Sequence, residues 1–185
     1  MEKQTMNNIE HEAKVLNINI EEIRTKLQAL NATKIGDFNF KRHVFDTIPS
    51  TPNRWVRLRS DGHETTLTIK EIATNTIDGT HEWETKVDDF DTMLTILSKI
   101  GIESRGYQEN TSEEYKLEGA QVVIDCWPKL QPYIEIEAKD TAEVIRIAEL
   151  LGYSEDQLVA DNTSALYEAI GIDLKDVAEL KFDKE

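Results

Sequence analysis

Residues 9–15, Ile-Glu-His-Glu-Ala-Lys-Val, alternate charged side chains with mostly apolar ones. Successive side chains of a β-strand point to opposite faces, so Glu10, Glu12 and Lys14 share one face and the apolar residues share the other. The apolar face needs a core to pack against. Carboxylates two positions apart lie roughly 7 Å from each other and repel unless water, cations or basic side chains compensate them. The stretch therefore predicts a strand with one apolar and one charged face.

The same alternation recurs in five further segments of the chain. Two carry acids (81–87 and 133–138), two carry mainly bases (55–59 and 66–70), and one holds Asp125 within 122–127. A half-buried antiparallel sheet also alternates apolar with polar residues, but here the polar positions are nearly all Glu, Asp, Arg or Lys. The sequence therefore predicts an α+β fold in which an antiparallel sheet closes into a barrel, with a charged, water-filled interior and helices against its apolar exterior.

Length and composition indicate one globular domain. The 185 residues suffice for a single core, predicted to span 1–185 with a helical tail at about 155–185. A net charge of -15 argues against nonspecific binding to nucleic acid or an anionic membrane. No apolar run reaches the roughly 20 residues of a membrane span, and residues 1–8 lack the apolar core of a signal peptide, so a cytoplasmic location is expected.

Apolar periodicity and turn residues place the elements along the chain. Helices are predicted over 19–31, 88–99 and 141–151, with short helices near 163–171 and 173–180. After the first strand, further strands are predicted near 38–46, 54–60, 64–71, 80–87, 104–117, 120–127 and 132–138. The single Cys126 cannot form an internal disulfide, and no Cys/His set offers a zinc site.

A pore that sets bases opposite clustered carboxylates suits a complex of polyphosphate with a metal ion. Arginine binds phosphate oxygens through two parallel hydrogen bonds, and lysine supplies a compact positive charge. Carboxylates hold Mg²⁺ or Mn²⁺, which also bridge to substrate phosphates. Carboxylates without a metal would repel a triphosphate, so both halves of the pore are needed.

Taken in order, the charged motifs resemble the CYTH superfamily, which includes class IV adenylate cyclases and thiamine or inorganic triphosphatases. The motifs that carry the resemblance are Glu10-x-Glu12-x-Lys14, Arg57-x-Arg59, Thr-Leu-Thr-x-Lys70, Glu82-x-Glu84, Asp125 and Glu135-x-Glu137. The resemblance covers residues about 8–180. The resemblance implies an eight-stranded antiparallel barrel called the triphosphate tunnel.

The resemblance also implies roles for the charged residues. The bases expected to bind phosphates and to act in catalysis are Lys14, Arg57, Arg59 and Lys70. The carboxylates expected to bind Mg²⁺ or Mn²⁺ are Glu10, Glu12, Glu135 and Glu137, to which we add Asp125. Glu82 and Glu84 match further acidic tunnel positions and are assigned to the substrate.

One departure from the family pattern lies on the predicted strand 104–117. Related chains commonly carry a Lys-Arg pair after a Tyr-Gln-Glu-Asn stretch, whereas this chain has Thr111-Ser112 there. Losing two cations should weaken triphosphate binding or favour a smaller anion. Arg42 could compensate if it faces the pore, and so could Lys86, and both are therefore included among the substrate-binding residues.

The leading hypothesis is a metal-dependent phosphohydrolase that cleaves a phosphoanhydride of an inorganic or organic triphosphate by water attack. One alternative is a class IV-type adenylate cyclase that converts ATP to cyclic AMP. Another is a module that binds a nucleotide or polyphosphate with little turnover. The expected partner is a small-molecule triphosphate or nucleotide, with no nucleic acid and no membrane, and the chain could form a homodimer.

Overall fold

Nine strands and four α-helices make up residues 9–183, the part of the chain that the computed structural model describes. The strands are β1 (Ile9–Val15), β2 (Thr33–Thr51), β3 (Arg54–Ser60), β4 (Thr65–Ile72), β5 (Thr80–Val87), β6 (Ser104–Leu117), β7 (Ala120–Cys126), β8 (Tyr133–Ala138) and β9 (Glu179–Leu180). The helices are α1 (Ile20–Ala29), α2 (Phe90–Lys99), α3 (Thr141–Leu150) and α4 (Thr163–Ala169). The single domain over 1–185 stays a prediction, because residues 1–8 and 184–185 lie outside the described part.

Eight of the strands form a closed antiparallel barrel. Their order is β2-β3-β4-β5-β1-β8-β7-β6, and β6 pairs back with β2 to complete the ring. The two-residue β9 pairs in parallel with β6 beside the ring. The seam between β1 and β5 is short, with only two residue pairs within the described strands. The predicted eight-stranded barrel is confirmed.

The apolar faces of the strands point outward and pack largely against the helices, although Ile69 of β4 and Trp83 of β5 are 38% and 47% exposed. Ala13, Ile134 and Ile136 of β1 and β8 are buried in one cluster with residues of α1 and α3. Phe45 and Leu58 of β2 and β3 are buried in a second cluster with residues of α2. The hydrophobic core therefore lies between the barrel wall and the helices, which leaves the opposite face of every strand for the interior.

The helices begin where the sequence predicts because polar side chains cap them. Asn19, Asp89, Asp140 and Asn162 each accept hydrogen bonds from backbone N–H groups in the first turn of α1, α2, α3 and α4. Such caps satisfy donors that have no partner within the helix. Within the described residues, no helix is long and apolar enough to cross a membrane.

Two elements differ from the sequence predictions. Strand β2 spans Thr33–Thr51 instead of 38–46, because it pairs with β6 along its first part and with β3 along its second. The predicted helix near 173–180 is instead a short 3-10 turn at Leu174–Asp176 followed by β9. Local periodicity missed both features because backbone pairing with β6, which is remote in sequence, creates them.

Packing of α3 against the barrel predicts a large effect of core truncation. Replacing Ile147, which is fully buried against β1 and β8, with Ala should lower the free energy of unfolding by about 2–5 kcal/mol. The matched control is Ile96→Ala on α2, whose side chain is 46% exposed and should cost less than about 1 kcal/mol. Urea denaturation of both variants measures the difference. Equal losses would contradict this placement of the core.

Candidate functional site

The register of the strands puts every predicted site residue on the inner face of the barrel. Residues directly opposite each other on neighbouring strands lie on the same face of a sheet. The cross-strand pairs that link the predicted residues around the ring are Glu12–Glu137, Lys14–Glu135, Lys70–Glu82, Thr68–Glu84, Arg57–Thr68, Arg59–Thr66, Thr66–Lys86 and Arg42–Arg59. Asp125 joins this face through its pairing with Tyr133, two residues before Glu135, and Glu10 joins it two residues before Glu12.

Lys70 on β4 connects three carboxylates across the lumen. Its Nζ lies 2.9 Å from Oε2 of Glu10 and 2.9 Å from Oε2 of Glu82, and 4.0 Å from Oε2 of Glu12. Although burial disfavours the charged ammonium, the charges of these carboxylates raise the pKa of Lys70. Lys70 is therefore a permanent cation that holds β4, β5 and β1 together from inside the barrel.

Lys14 on β1 is the second buried ammonium of the lumen. Its Nζ lies 2.7 Å from Oε2 of Glu135 and 3.7 Å from Oε1 of Glu12. Burial alone would raise the pKa of Glu135, but the charges of Lys14 and Lys70 lower it to about 2. The Lys14–Glu135 pair is therefore ionised at neutral pH.

Two carboxylates of the lumen, Glu10 and Glu137, have raised pKa values, Glu10 even though it lies 2.9 Å from Lys70. Burial raises the pKa of Glu10 to about 8, and the charges of Glu12 and Glu82 add to the rise. The side chain of Glu137 is exposed, but the barrel partly surrounds its carboxylate. The resulting desolvation, together with the charges of Glu12 and Glu135, raises the pKa of Glu137 to about 7. This acidic cluster thus holds more carboxylates than the two lysines neutralise.

The donor set of this acidic cluster suits a hard divalent cation. Carboxylate oxygens are preferred ligands of Mg²⁺ and Mn²⁺, and the excess negative charge would be relieved by a bound cation. Among residues 9–183, however, no three His, Cys, Asp or Glu side chains are already arranged around a common metal position. Several of the carboxylates form ion pairs with Lys14 and Lys70. To bind a metal ion, some of them would have to leave these lysines and coordinate the ion.

Three arginines lie next to the acidic cluster in the lumen. Nη2 of Arg57 lies 3.5 Å from Oε2 of Glu84 and 3.8 Å from Oε2 of Glu82. The guanidinium of Arg59 lies 4.7 Å from the ring centre of Phe40, and that of Arg42 lies 4.5 Å from the ring centre of Trp127.

Arg42 and Arg59 stay charged although they are crowded. Burial, together with the charges of Arg57 and Arg59, lowers the pKa of Arg42 to about 9. Burial and the charge of Arg57 lower the pKa of Arg59 to about 10. Within the described chain, neither Arg42 nor Arg59 forms an ion pair with a carboxylate. The arginine cluster is therefore an undercompensated positive site, as an anion-binding pocket requires.

Hydrogen bonds link Arg42 to the strand where the family pattern is broken. Nη2 of Arg42 donates to Oδ1 of Asn110, whose Nδ2 donates to Oγ of Ser112 and to Oδ1 of Asp125, both at 3.0 Å. Ser112 also donates to Asp125. Thr111 pairs with Cys126 and points the other way. Of the two hydroxyl residues, only Ser112 faces the lumen, and Arg42 faces it too.

The two ends of the lumen differ in exposure. At the end where β8 begins, Trp127 and Tyr133 are buried against Tyr167 of α4. At the other end Lys86 is 74% exposed and forms an ion pair with Glu64 at the rim. Lys86 therefore lies at the mouth, far less enclosed than Arg42, which is 7% exposed.

Sequence reasoning missed two side chains that shape this site. Phe40 lies beneath Arg59, and Asn110 bridges Arg42 to Asp125. Phe40 lies two positions from Arg42, so the alternation of β2 would have placed it in the lumen. The contacts of Asn110 depend on the register of β6 with its neighbours, for which the sequence carries no local signal.

Comparison with solved structures supports the fold. A protein of Pyrococcus horikoshii OT3 aligns with a TM-score of 0.74 and 21% identity over 85% of this chain and 98% of its own. A candidate adenylate cyclase of Vibrio parahaemolyticus aligns with a TM-score of 0.74 and 12% identity over 87% and 98%. A candidate adenylyl cyclase of Hippeastrum with a dominant triphosphatase activity aligns with a TM-score of 0.59 and 15% identity over 86% and 95%.

Comparison of sequences identifies the family. A search of curated protein sequences finds no significant match. The family model of the CYTH domain matches residues 8–161, which include all the charged motifs of the lumen. The chain therefore belongs to the CYTH family.

Proposed function

We propose that the barrel binds a triphosphate in its lumen and, with a divalent metal ion, hydrolyses one of its phosphoanhydride bonds. The observation that carries this proposal is the division of one lumen into an arginine cluster short of anions and an acidic cluster short of cations. A polyphosphate with a bound metal ion supplies both missing charges. The family supports the same conclusion, since the chain belongs to the CYTH domain family.

The phosphate oxygens are held by Arg42, Arg57 and Arg59. Guanidinium groups form paired, charge-assisted hydrogen bonds to phosphate. Arg57 exchanges its long contacts with Glu82 and Glu84, at 3.8 and 3.5 Å, for shorter contacts with the ligand. Lys14 and Lys70 lie between the carboxylates and the phosphates and contribute further positive charge. The bound ligand thereby takes a fixed position along the lumen.

The metal ion is held mainly by Glu10, Glu12, Glu135 and Glu137. Glu12 and Glu137 lie directly opposite each other on β1 and β8, Glu135 lies opposite Lys14, and Glu10 precedes Glu12 by two residues, so all four carboxylates are on the inner face of these two strands. When bound, the ion neutralises charge on the phosphate oxygens and makes the terminal phosphorus more electrophilic. Glu82 and Glu84 keep Arg57 and Lys70 in place at the border of the two clusters.

The reaction needs no covalent intermediate with the protein. The oxygen of a water molecule forms a bond to the terminal phosphorus, and the bond from that phosphorus to the bridging oxygen breaks. The electron pair of the broken bond stays on the leaving diphosphate or nucleoside diphosphate, and one water proton passes to solvent. The arginines stabilise the charge that the leaving group and the transferred phosphoryl group carry.

Cyclisation of ATP is the second candidate function. A structural relative is named as a candidate adenylate cyclase, and such a reaction would use the same phosphate contacts. Fold alone does not choose between hydrolysis and cyclisation. Binding without turnover is favoured by Ser112, which stands in the lumen where related chains carry a base, and by the lack of a ready metal position within residues 9–183.

A product assay distinguishes the three functions. Tripolyphosphate, thiamine triphosphate and ATP are each incubated with the protein in the presence of Mg²⁺ or Mn²⁺. We expect metal-dependent release of orthophosphate from at least one of them, because the lumen supplies both phosphate and metal ligands. Cyclic AMP from ATP would support the cyclase instead. Calorimetric binding of all three without any product would show a binding module.

Glu137 provides the sharpest test of the metal site. The Glu137→Gln variant keeps the size of the side chain but removes its charge, so metal-dependent turnover should fall about 100-fold or more. The raised pKa of Glu137 means that its charge is not needed for folding, and the melting temperature should stay near that of wild type. The control is Glu149→Gln on the exposed side of α3, which should keep full activity. Full activity of Glu137→Gln at saturating Mg²⁺ would reject the assignment.

Arg59 provides a test of the phosphate site that does not depend on turnover. Arg59→Gln should weaken binding of tripolyphosphate without metal about tenfold or more, because a charge-assisted contact contributes about 1.5–3 kcal/mol. Titration calorimetry measures the dissociation constant. Arg146→Gln on the outside of α3, whose partners are Glu118 and Glu143, is the matched control. If both variants bind as wild type does, the ligand does not contact the arginine cluster.

A further inference from the structure

The buried residues Arg42, Asn110, Ser112 and Asp125 form one hydrogen-bonded chain, here called the Arg42 relay. A buried guanidinium normally pairs with a carboxylate, because an unpaired buried charge is costly. Asp125 is close enough to influence Arg42, yet no ion pair joins them among the described residues. The amide of Asn110 stands between the two charges instead.

The orientation of this amide is determined by its partners. Nδ2 of Asn110 faces two oxygen atoms, Oγ of Ser112 and Oδ1 of Asp125, each 3.0 Å away. An amide nitrogen donates and cannot accept, so this assignment leaves Oδ1 to accept from Arg42. Ser112 in turn donates to Asp125, which fixes the carboxylate. Asp125 therefore acts as the anchor of the relay, and its Oδ1 already accepts two hydrogen bonds.

The relay holds Arg42 without neutralising it. Nη2 is tied to Asn110, whereas Nε is buried and has no hydrogen-bond partner in the described part of the chain. The guanidinium carbon lies over the ring of Trp127, 4.5 Å from its centre. A donor that is buried, unpartnered and fixed beside Arg57 and Arg59 suits an oxygen of a bound anion.

We propose that Asn110, Ser112 and Asp125 are positioning residues that hold Arg42 for contact with a phosphate group, and that Asp125 serves the relay and not the metal ion. This inference rests on the proposed function, since it assumes a phosphate ligand in the lumen. It revises the assignment of Asp125 to the metal site. It also gives Ser112 a role of its own, because its hydroxyl accepts from Asn110 while it donates to Asp125, and a basic side chain at that position could not accept.

The first experiment is a double-mutant cycle between Asn110 and Arg42. Binding of tripolyphosphate without metal is measured by calorimetry for Asn110→Ala, Arg42→Gln and the double variant. We expect about tenfold weaker binding for Arg42→Gln, about three- to tenfold for Asn110→Ala, and no further loss in the double variant. Asn39→Ala, an exposed change on β2, is the control.

The outcomes of this cycle separate the relay from the proposed function. Additive losses, or unchanged or tighter binding by Asn110→Ala, would overturn the relay. If wild-type protein does not bind tripolyphosphate at all, the proposed function fails before the relay is tested. Melting temperatures of all variants show that a loss of affinity is not a loss of fold.

The second experiment concerns the role of Asp125. Asp125→Asn keeps an oxygen that can accept from Ser112 and Asn110 but loses the charge. We expect tripolyphosphate to bind as tightly as to wild type or more tightly, and Mn²⁺, followed by its electron paramagnetic resonance signal, to bind within about twofold of wild type. The comparison variant Glu137→Gln should weaken Mn²⁺ binding about tenfold or more. A tenfold loss of Mn²⁺ affinity in Asp125→Asn would return Asp125 to the metal site.

Discussion

Compensation of charge inside the barrel is the constraint on which the rest of the structure depends. An ionised side chain that leaves water costs several kcal/mol unless an opposite charge or hydrogen bonds replace the lost hydration. Lys14 is almost fully buried and lies 2.7 Å from Glu135, and Lys70 lies 2.9 Å from both Glu10 and Glu82. These pairs join β1 to β8 and β4 to β5. The same contacts that make the lumen polar therefore also help to close the ring.

The two clusters of the lumen compensate their charges by different means. Lysines face carboxylates directly, whereas Arg42 and Arg59 lie against the rings of Trp127 and Phe40. An aromatic face attracts a guanidinium and supports its flat shape, but it leaves the net positive charge in place. The barrel can thus hold arginines inside without cancelling them. A ligand that carries several negative charges would compensate the positive charge of these arginines.

The alternation of charged and apolar residues was enough to predict the barrel, because a period of two fixes which side chains share a face. Strands such as β3 and β5 appear where predicted, and every predicted site residue faces the lumen. The contacts of Asn110 were beyond sequence reasoning, because they depend on how β6 is aligned with β2 and β7. Alternation gives the face of a residue, whereas register gives its neighbours. The extent of β2 was missed for the same reason, since its first residues pair with β6 without a pattern of their own.

The acidic surface sets a final condition on the ligand. A net charge of -15 repels a polyanion at long range, but screening limits that repulsion to about 8 Å at physiological ionic strength. Inside the lumen the nearest charges determine the local electrostatic potential, and there Arg42, Arg57 and Arg59 lie close to one another. A triphosphate with a bound metal ion has a smaller net negative charge, so the acidic exterior repels it less. Glu137 is exposed, whereas Arg42 is only 7% exposed. The lumen thus combines buried bases with an exposed carboxylate, so a bound anion and a cation would meet different degrees of burial.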